Sequence, residues 1–221
     1  MNIGILGTGN LAVALGAAWA AAGHSLLVTG RSPENARRAA ARIGPAAEAL
    51  EPREMPARAD AVVVSVAWDG LEAALALVGA PDGALHGKTV IDCTNPVDYA
   101  TGDLIPESGS AAELVARTAP GAHVVKALHL FAGASWPYTG ERELAPVVAI
   151  CGDDRAALGQ TRALIADLGG QAAGVGGLAS ARQLEDAAGF VMRLLSAGAN
   201  PRRAVPDVDP AALGQLPPTG A

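Results

Sequence analysis

Residues 1–32 read MNIGILGTGNLAVALGAAWAAAGHSLLVTGRS, and the fold turns on how the run from Asn2 to Leu6 gives way to Gly7-Thr8-Gly9-Asn10-Leu11-Ala12. The first run is short and apolar, and a helix-periodic stretch, Asn10 to Ala22, begins directly behind the glycines. That order spells strand, tight turn, helix. Gly7 lets the chain turn sharply, Gly9 leaves no side chain in the way of a pyrophosphate, and Ala12 is small enough for the helix to pack closely on the strand. The free N–H groups at the helix start then face an anion. A second strand, Ser25 to Thr29, follows at the distance a dinucleotide-binding unit requires. An ordinary strand-to-helix turn is the competing reading, and it leaves that spacing unexplained.

Further apolar runs, Ala61–Val66, Thr89–Asp92, His123–Lys126 and Val147–Cys151, alternate with helical stretches. Alternation of this kind builds right-handed βαβ units and a mostly parallel sheet covered on both faces. The fold class is therefore α/β, a Rossmann-type doubly wound sheet, with a small C-terminal helical appendage. Residues 1–152 form the dinucleotide-binding domain and 153–200 a small helical segment packed on it; the Pro-rich 201–221 forms a flexible tail. Within 153–200, Asp153 to Leu168 reads as a helix opened by two acids, GGQAAGVGG as a stretch holding one short strand, and Ser180 to Ala197 as an amphipathic helix. Its apolar stripe, Leu184, Ala188, Val191 and Leu195, packs on the main domain or, as the second reading, makes a homodimer contact. Arg182, Glu185, Asp186 and Arg193 fall mostly off that stripe.

The chain of 221 residues is 50% hydrophobic with a formal net charge of −6. No Lys/Arg cluster marks it for nucleic acid or an anionic membrane. No apolar run approaches the roughly 18 to 20 residues of a spanning helix. Met1–Leu6 reads as a first strand and not as a signal peptide, which implies a cytoplasmic protein. Cys93 and Cys151, the only cysteines, each end an apolar run and read as buried thiols. No His/Cys spacing suits a metal.

Ligands of such sheets sit at the carboxyl ends of the strands. The second strand ends Thr29-Gly30-Arg31-Ser32. An NAD site would place an acid there; Arg31 instead suits the extra phosphate of NADP, because guanidinium donates two parallel hydrogen bonds. Thr8 and Ser32 add hydroxyl donors. A solvated loop arginine is the alternative.

Taken together, GILGTGNLA, GRSPENA, SVAWDGLEAAL, DCTNP, SAAELVA, VVKALHLFAG, VVAICGDD and GGLASARQLE resemble, in order and to about Asn200, the NADPH-dependent reductases of the deazaflavin coenzyme F-420. The same motifs are shared by the reductase domain of the six-transmembrane metalloreductases. The resemblance implies hydride transfer between NADP(H) and a deazaflavin or flavin. It places Thr8, Gly9, Asn10 and Leu11, after Gly7, around the cofactor phosphates and Arg31 on the adenosine phosphate. Val66, Ala67 and Trp68, Thr94, Asn95 and Pro96, and Ala127, Leu128 and His129 would border the nicotinamide. Two positions depart from the pattern. Asn35 stands where a second base assists the phosphate, with Arg38 as the base to recruit. Thr94-Asn95-Pro96 matches the metalloreductase domain and not the apolar loop of the deazaflavin enzyme.

No Ser-His-Asp arrangement is present, and ring-to-ring hydride transfer needs none, since both reactive carbons belong to cofactors. Lys126 closes a strand, either snorkelling to solvent or serving the chemistry. His129 orients the acceptor ring or serves the structure. Trp68 walls the ring pocket or caps the helix behind it. Phe131, Trp136 and Tyr138 lie in HLFAGASWPYTG, which reads as a lid or as a buried loop anchor. The competing functions are reduction of a small carbonyl or imine, with His129, Tyr138 and Asp186 as candidate donors, and a non-catalytic NADP(H)-binding module.

Overall fold

The computed structural model describes residues 1–205; most of the expected tail, 206–221, lies outside the described residues. Its eight-stranded sheet runs β3-β2-β1-β4-β5-β6-β7-β8. The strands are β1 (Asn2–Leu6), β2 (Ser25–Thr29), β3 (Ala47–Ala49), β4 (Ala61–Val64), β5 (Thr89–Asp92), β6 (His123–Lys126), β7 (Val147–Gly152) and β8 (Gln171–Gly174). Neighbours pair in parallel except β6 and β7, which meet antiparallel with Lys126 opposite Cys151. β1 is flanked by β2 and β4. The chain winds outward from β1 to β3 and then returns to β4, so the order reverses beside β1, where doubly wound sheets open a ligand crevice.

Burial of β1 on both faces follows from its composition. Ile3 and Ile5 join a core with Leu15 and Trp19 of α1 (Asn10–Ala21), Ile43 of α2 (Pro33–Ile43) and Leu164 of α6 (Arg155–Asp167). Leu6 joins a second core on the opposite face. There it meets Met55 of α3 (Met55–Arg58), Leu71 of α4 (Leu71–Leu77), Val115 of α5 (Ala111–Thr118) and Leu184 of α7 (Ala181–Ser196). Trp19 crosses its layer and donates from Nε1 to the Leu164 carbonyl at 2.9 Å, which satisfies the one polar atom that burial would strand.

Local signals set the helix ends. Ser32 accepts from Asn35 N, Pro33 opens α2, and Gly44 at φ +119° follows it, which together make a capped, bounded helix. Asp154 caps α6 in the same way. β3 was not expected from the sequence: Ala47-Glu48-Ala49 is short, only half-buried and without a β-branched residue, so nothing in its composition sets it apart from the loop. The segment 153–200 holds more than helix. Its short strand, β8, pairs with β7 and extends the main sheet, leaving α7 as the added element.

Candidate functional site

At the head of the groove, Gly7 and Gly9 differ in what they do. Gly7 adopts φ +138°, and a Cβ there would lie 2.0 Å from the Ser65 carbonyl, so only glycine lets β1 turn over β4. Gly9 has ordinary extended backbone and nothing within 4 Å of where a Cβ would be. Neither backbone strain nor a neighbouring atom therefore requires glycine at this position. Gly9 is also the N-cap of α1 with no side-chain cap and no acid in the first turn, so the helix presents its open N–H groups to whatever fills that space.

One arm of the groove runs from Gly7, Thr8 and Gly9 to Gly30 and Arg31. Arg31 is exposed and makes no ion pair among the described residues. Its guanidinium lies across Gly70, where a Cβ would be 3.8 Å from Cζ. Arg38 is already engaged, with Glu34 at 3.6 Å and with Asn35 Oδ1. Ser32 spends its oxygen on the cap of α2 and does not line this arm. An uncapped helix start, a bare Gly9 and an unpaired guanidinium fit a dinucleotide with an extra phosphate.

The other arm shares Gly9, Ser65, Val66 and Ala67 and widens into a cleft of about 730 Å³. Its walls are Asn10, Leu11, Trp68, Cys93, Asn95 and His129–Ala132 on one side. Tyr99 and Ile105 from the 97–105 loop and Ala188, Val191, Met192 and Leu195 from α7 close the other. Several expected residues stand back from this surface. Thr94 and Pro96 are buried beneath it, Ala127 lies in the core, and Leu128, at φ +60°, faces a separate small cavity. Turning the chain at Leu128 is what delivers His129 and the next three residues to the cleft. Trp68 opens a short helical turn, Trp68–Gly70, and lines the cleft as well.

The aromatic loop divides. Phe131 lines the cleft and meets Trp136 edge-on, centroids 5.4 Å apart. Trp136 is buried in the core, and Tyr138 donates to the Glu141 carbonyl outside the cleft. These two anchor the loop and do not close over a substrate. The α7 stripe divides too: Leu184 packs inward, Ala188 is buried at the edge of the cleft, and Val191 and Leu195 form its more exposed wall. Both cysteines are free and buried. Burial holds the Cys93 thiol far above its usual range and Cys151 at about 11, so neither is a thiolate nucleophile.

His129 is almost fully buried, and Nε2 donates to the Leu184 carbonyl at 2.9 Å, which leaves Nδ1 as the bare nitrogen with no partner. Burial first, and then the Lys126 charge, lower its pKa to about 4. It is neutral throughout the working range. Its folded pKa is depressed, so the unfolded chain takes up the proton first as pH falls below the ordinary value near 6.5. This residue therefore subtracts stability progressively between about 6.5 and 4. We expect kcat/KM between pH 5.5 and 7.5 to show no step from His129, and His129→Gln to keep the wild-type profile. A step in that interval that the substitution removes would refute the assignment.

Lys126 neither snorkels nor reaches the cleft. It is fully buried, with Nζ 2.8 Å from Asp92 Oδ2, 2.8 Å from Glu185 Oε1 and bonded to the Thr94 carbonyl. Glu185, which helical spacing assigned to the polar face, is likewise fully buried. Burial alone would lower the Lys126 pKa, but the two carboxylates outweigh it and hold it above its ordinary value.

Residues 2–96 match the model of the family described as NADP oxidoreductase, coenzyme F-420-dependent. A protein of Arthrobacter sp. FB24 described as a candidate F-420-dependent NADP reductase superposes with a TM-score of 0.77 at 27% identity, over 89% of this chain and 95% of that one. The metalloreductase STEAP3 of Rattus norvegicus is 28% identical over 185 residues, 83% of this chain. This chain spans only 36% of that protein's length. A reductive aminase of Aspergillus terreus solved with NADPH shares the fold, with a TM-score of 0.67 at 20% identity over 89% of this chain and 63% of its own. Over residues 2–96, less than half of its length, the chain is therefore similar to the family described as NADP oxidoreductase, coenzyme F-420-dependent.

Proposed function

We propose that this chain moves a hydride between NADP(H) and a planar deazaflavin or flavin ring seated in the wide arm of the groove. The observation that carries the reading is the lining of that arm. Apolar side chains from α7, the 97–105 loop and His129–Ala132 surround a space of about 730 Å³, and the one histidine among them is neutral with its N–H spent on a backbone carbonyl. Such a surface stacks a ring and excludes water; the carboxylate and the phenol on its lining, Asp69 and Tyr99, are both exposed and not held in the enclosed part of the cleft.

Bound NADPH supplies the hydride. The protein's part is placement: α1 and Gly9 take the pyrophosphate, Arg31 the adenosine phosphate, and Val66, Ala67 and Trp68 steer the nicotinamide end towards the cleft. Asn95 donates from Nδ2 to the His129 carbonyl at 2.6 Å, which ties together the two loops that floor the cleft. Tyr138 and Asp186, the donors a carbonyl or imine reductase would need, are absent from the lining, and Tyr99 on the rim is the sole phenol there.

The test is oxidation of NADPH, deuterated on one face of the nicotinamide, with coenzyme F-420, flavin mononucleotide and a panel of carbonyls and imines in parallel. We expect turnover with a ring acceptor and, for the deazaflavin, deuterium on the ring carbon in ordinary water. Turnover confined to carbonyls or imines, and lost in Tyr99→Phe, would overturn the reading.

A further inference from the structure

We propose that Lys126 is a positioning residue: with Asp92 and Glu185 it forms a buried polar joint that sets α7 in register with the 93–96 loop across the cleft. The inference rests on the reading of that cleft as the acceptor site, and it assigns the ion triad a role in the reaction beyond folding.

Lys126 donates to Asp92 Oδ2 and to the Thr94 carbonyl and pairs with Glu185 Oε1 at 2.8 Å, so three buried acceptors surround its ammonium and fix its place. Asp92 Oδ1 in turn accepts from Thr94 N at 3.0 Å, which fixes the loop that carries Asn95 into the cleft. Glu185 accepts from Ala111 N at 3.1 Å and from Ala112 N at 3.4 Å, at the positive end of α5. One helix is thereby fastened to β5, β6 and α5 through a single carboxylate. The neighbouring Leu184 carbonyl takes the His129 bond, so the second floor loop is tied to the same turn of α7.

Stability alone does not call for such a device. Well-packed apolar residues at three buried positions commonly match or exceed an ion triad, whereas apolar packing tolerates sliding and rotation that directional bonds forbid. The consequence here is leverage. Leu195 lies ten residues beyond Glu185, about 15 Å along the helix, so a tilt of about 10° at the joint would carry it roughly 2.6 Å across the cleft. Misplacements of about 1 Å are enough to cost on the order of a hundredfold in rate. Farther along α7 the ties are weaker as direction-setters. Arg193 pairs with Asp103 in an exposed position, where such pairs contribute little, and Gly189 makes only a close backbone approach to Gly102.

Lys126→Met keeps the length and removes the charge; the double variant Lys126→Met/Glu185→Gln also removes the like-charge pairing left between Asp92 and Glu185. For each, the measurements are thermal unfolding, NADPH affinity by titration, hydrogen exchange across 181–196 with NADPH bound, and steady-state kinetics with coenzyme F-420. We expect NADPH affinity within about twofold of wild type, exchange in 181–196 faster by about tenfold, and kcat/KM for the acceptor lower by roughly 30- to 100-fold. The double variant should recover unfolding temperature but not kcat/KM. Recovery of both in the double variant, unchanged exchange in 181–196, or an equal loss of NADPH affinity would each overturn the proposal. Should Lys126→Met fail to fold, Glu185→Gln alone, which preserves volume and the acceptor for Ala111 N, carries the same comparison. A wild-type protein inactive on every ring acceptor would sink the acceptor reading, while the exchange data would still report whether the joint fixes α7.

Discussion

Gly9→Val should lower NADPH affinity at least a hundredfold while the protein folds as before. The space above Gly9 is empty in the free protein, and its φ of −78° and ψ of −178° suit valine, so the folded state is charged no more than about 1 kcal/mol for a poorer N-cap. The bound state meets the methyl groups where the pyrophosphate must lie against the first turn of α1. Losing even two charge-assisted hydrogen bonds there costs about 3 to 6 kcal/mol, a hundredfold or more in affinity. Gly7→Ala is the control with the opposite signature: the strained φ and the Ser65 carbonyl 2.0 Å from its Cβ make it destabilising before any ligand is added. Titration and thermal unfolding on both variants separate the two. Wild-type NADPH binding by a folded Gly9→Val protein would reduce the opening motif to a turn.

The contrast between these glycines marks what a sequence can reveal. Spacing alone located the turn and its helix, because the pattern is local and each residue's neighbours are close in the chain. The strands with β-branched cores were legible for the same reason, and β3 was not, since three half-buried residues carry no periodic signal. The wide cleft was harder to read. Val191 and Leu195 fit a helical stripe whether they face a core, a partner or a ligand, and only the position of α7 decides. Tyr99 and Ile105 sit in a segment that reads as turn, and become a wall because Val97 bridges to Leu104. Least legible was the triad. Asp92 and Lys126 each close a strand, Glu185 lies among charges on an amphipathic helix, and their burial is a property of three elements meeting and not of any one. Trp136 and Tyr138 show the converse: clustered aromatics left a lid and a buried loop anchor equally open, and the packing of Trp136 inside the core decides for the anchor.

Arg31→Ala should remove most of the preference for NADPH over NADH, weakening NADPH by roughly 10- to 150-fold, the equivalent of about 1.5 to 3 kcal/mol for a charge-assisted bond, and leaving NADH within about threefold. The size of the effect depends on whether Arg31 acts alone. Asn35 cannot serve as a second base, and Arg38 is held by Glu34 and Asn35 on the surface of α2, so recruiting it would first break those contacts. Arg38→Ala should therefore change NADPH affinity by less than about threefold, a surface-pair effect. Arg31→Lys should fall between wild type and alanine, because an ammonium offers charge without the two-pronged fork. Since Arg31 is exposed, the NADPH advantage should also shrink with added salt. Calorimetric titration of both nucleotides against the three variants at low and high ionic strength resolves these terms. Equal affinities for NADPH and NADH in the wild-type protein would remove Arg31 from phosphate recognition. A larger loss in Arg38→Ala than in Arg31→Ala would move the phosphate onto the first turns of α2.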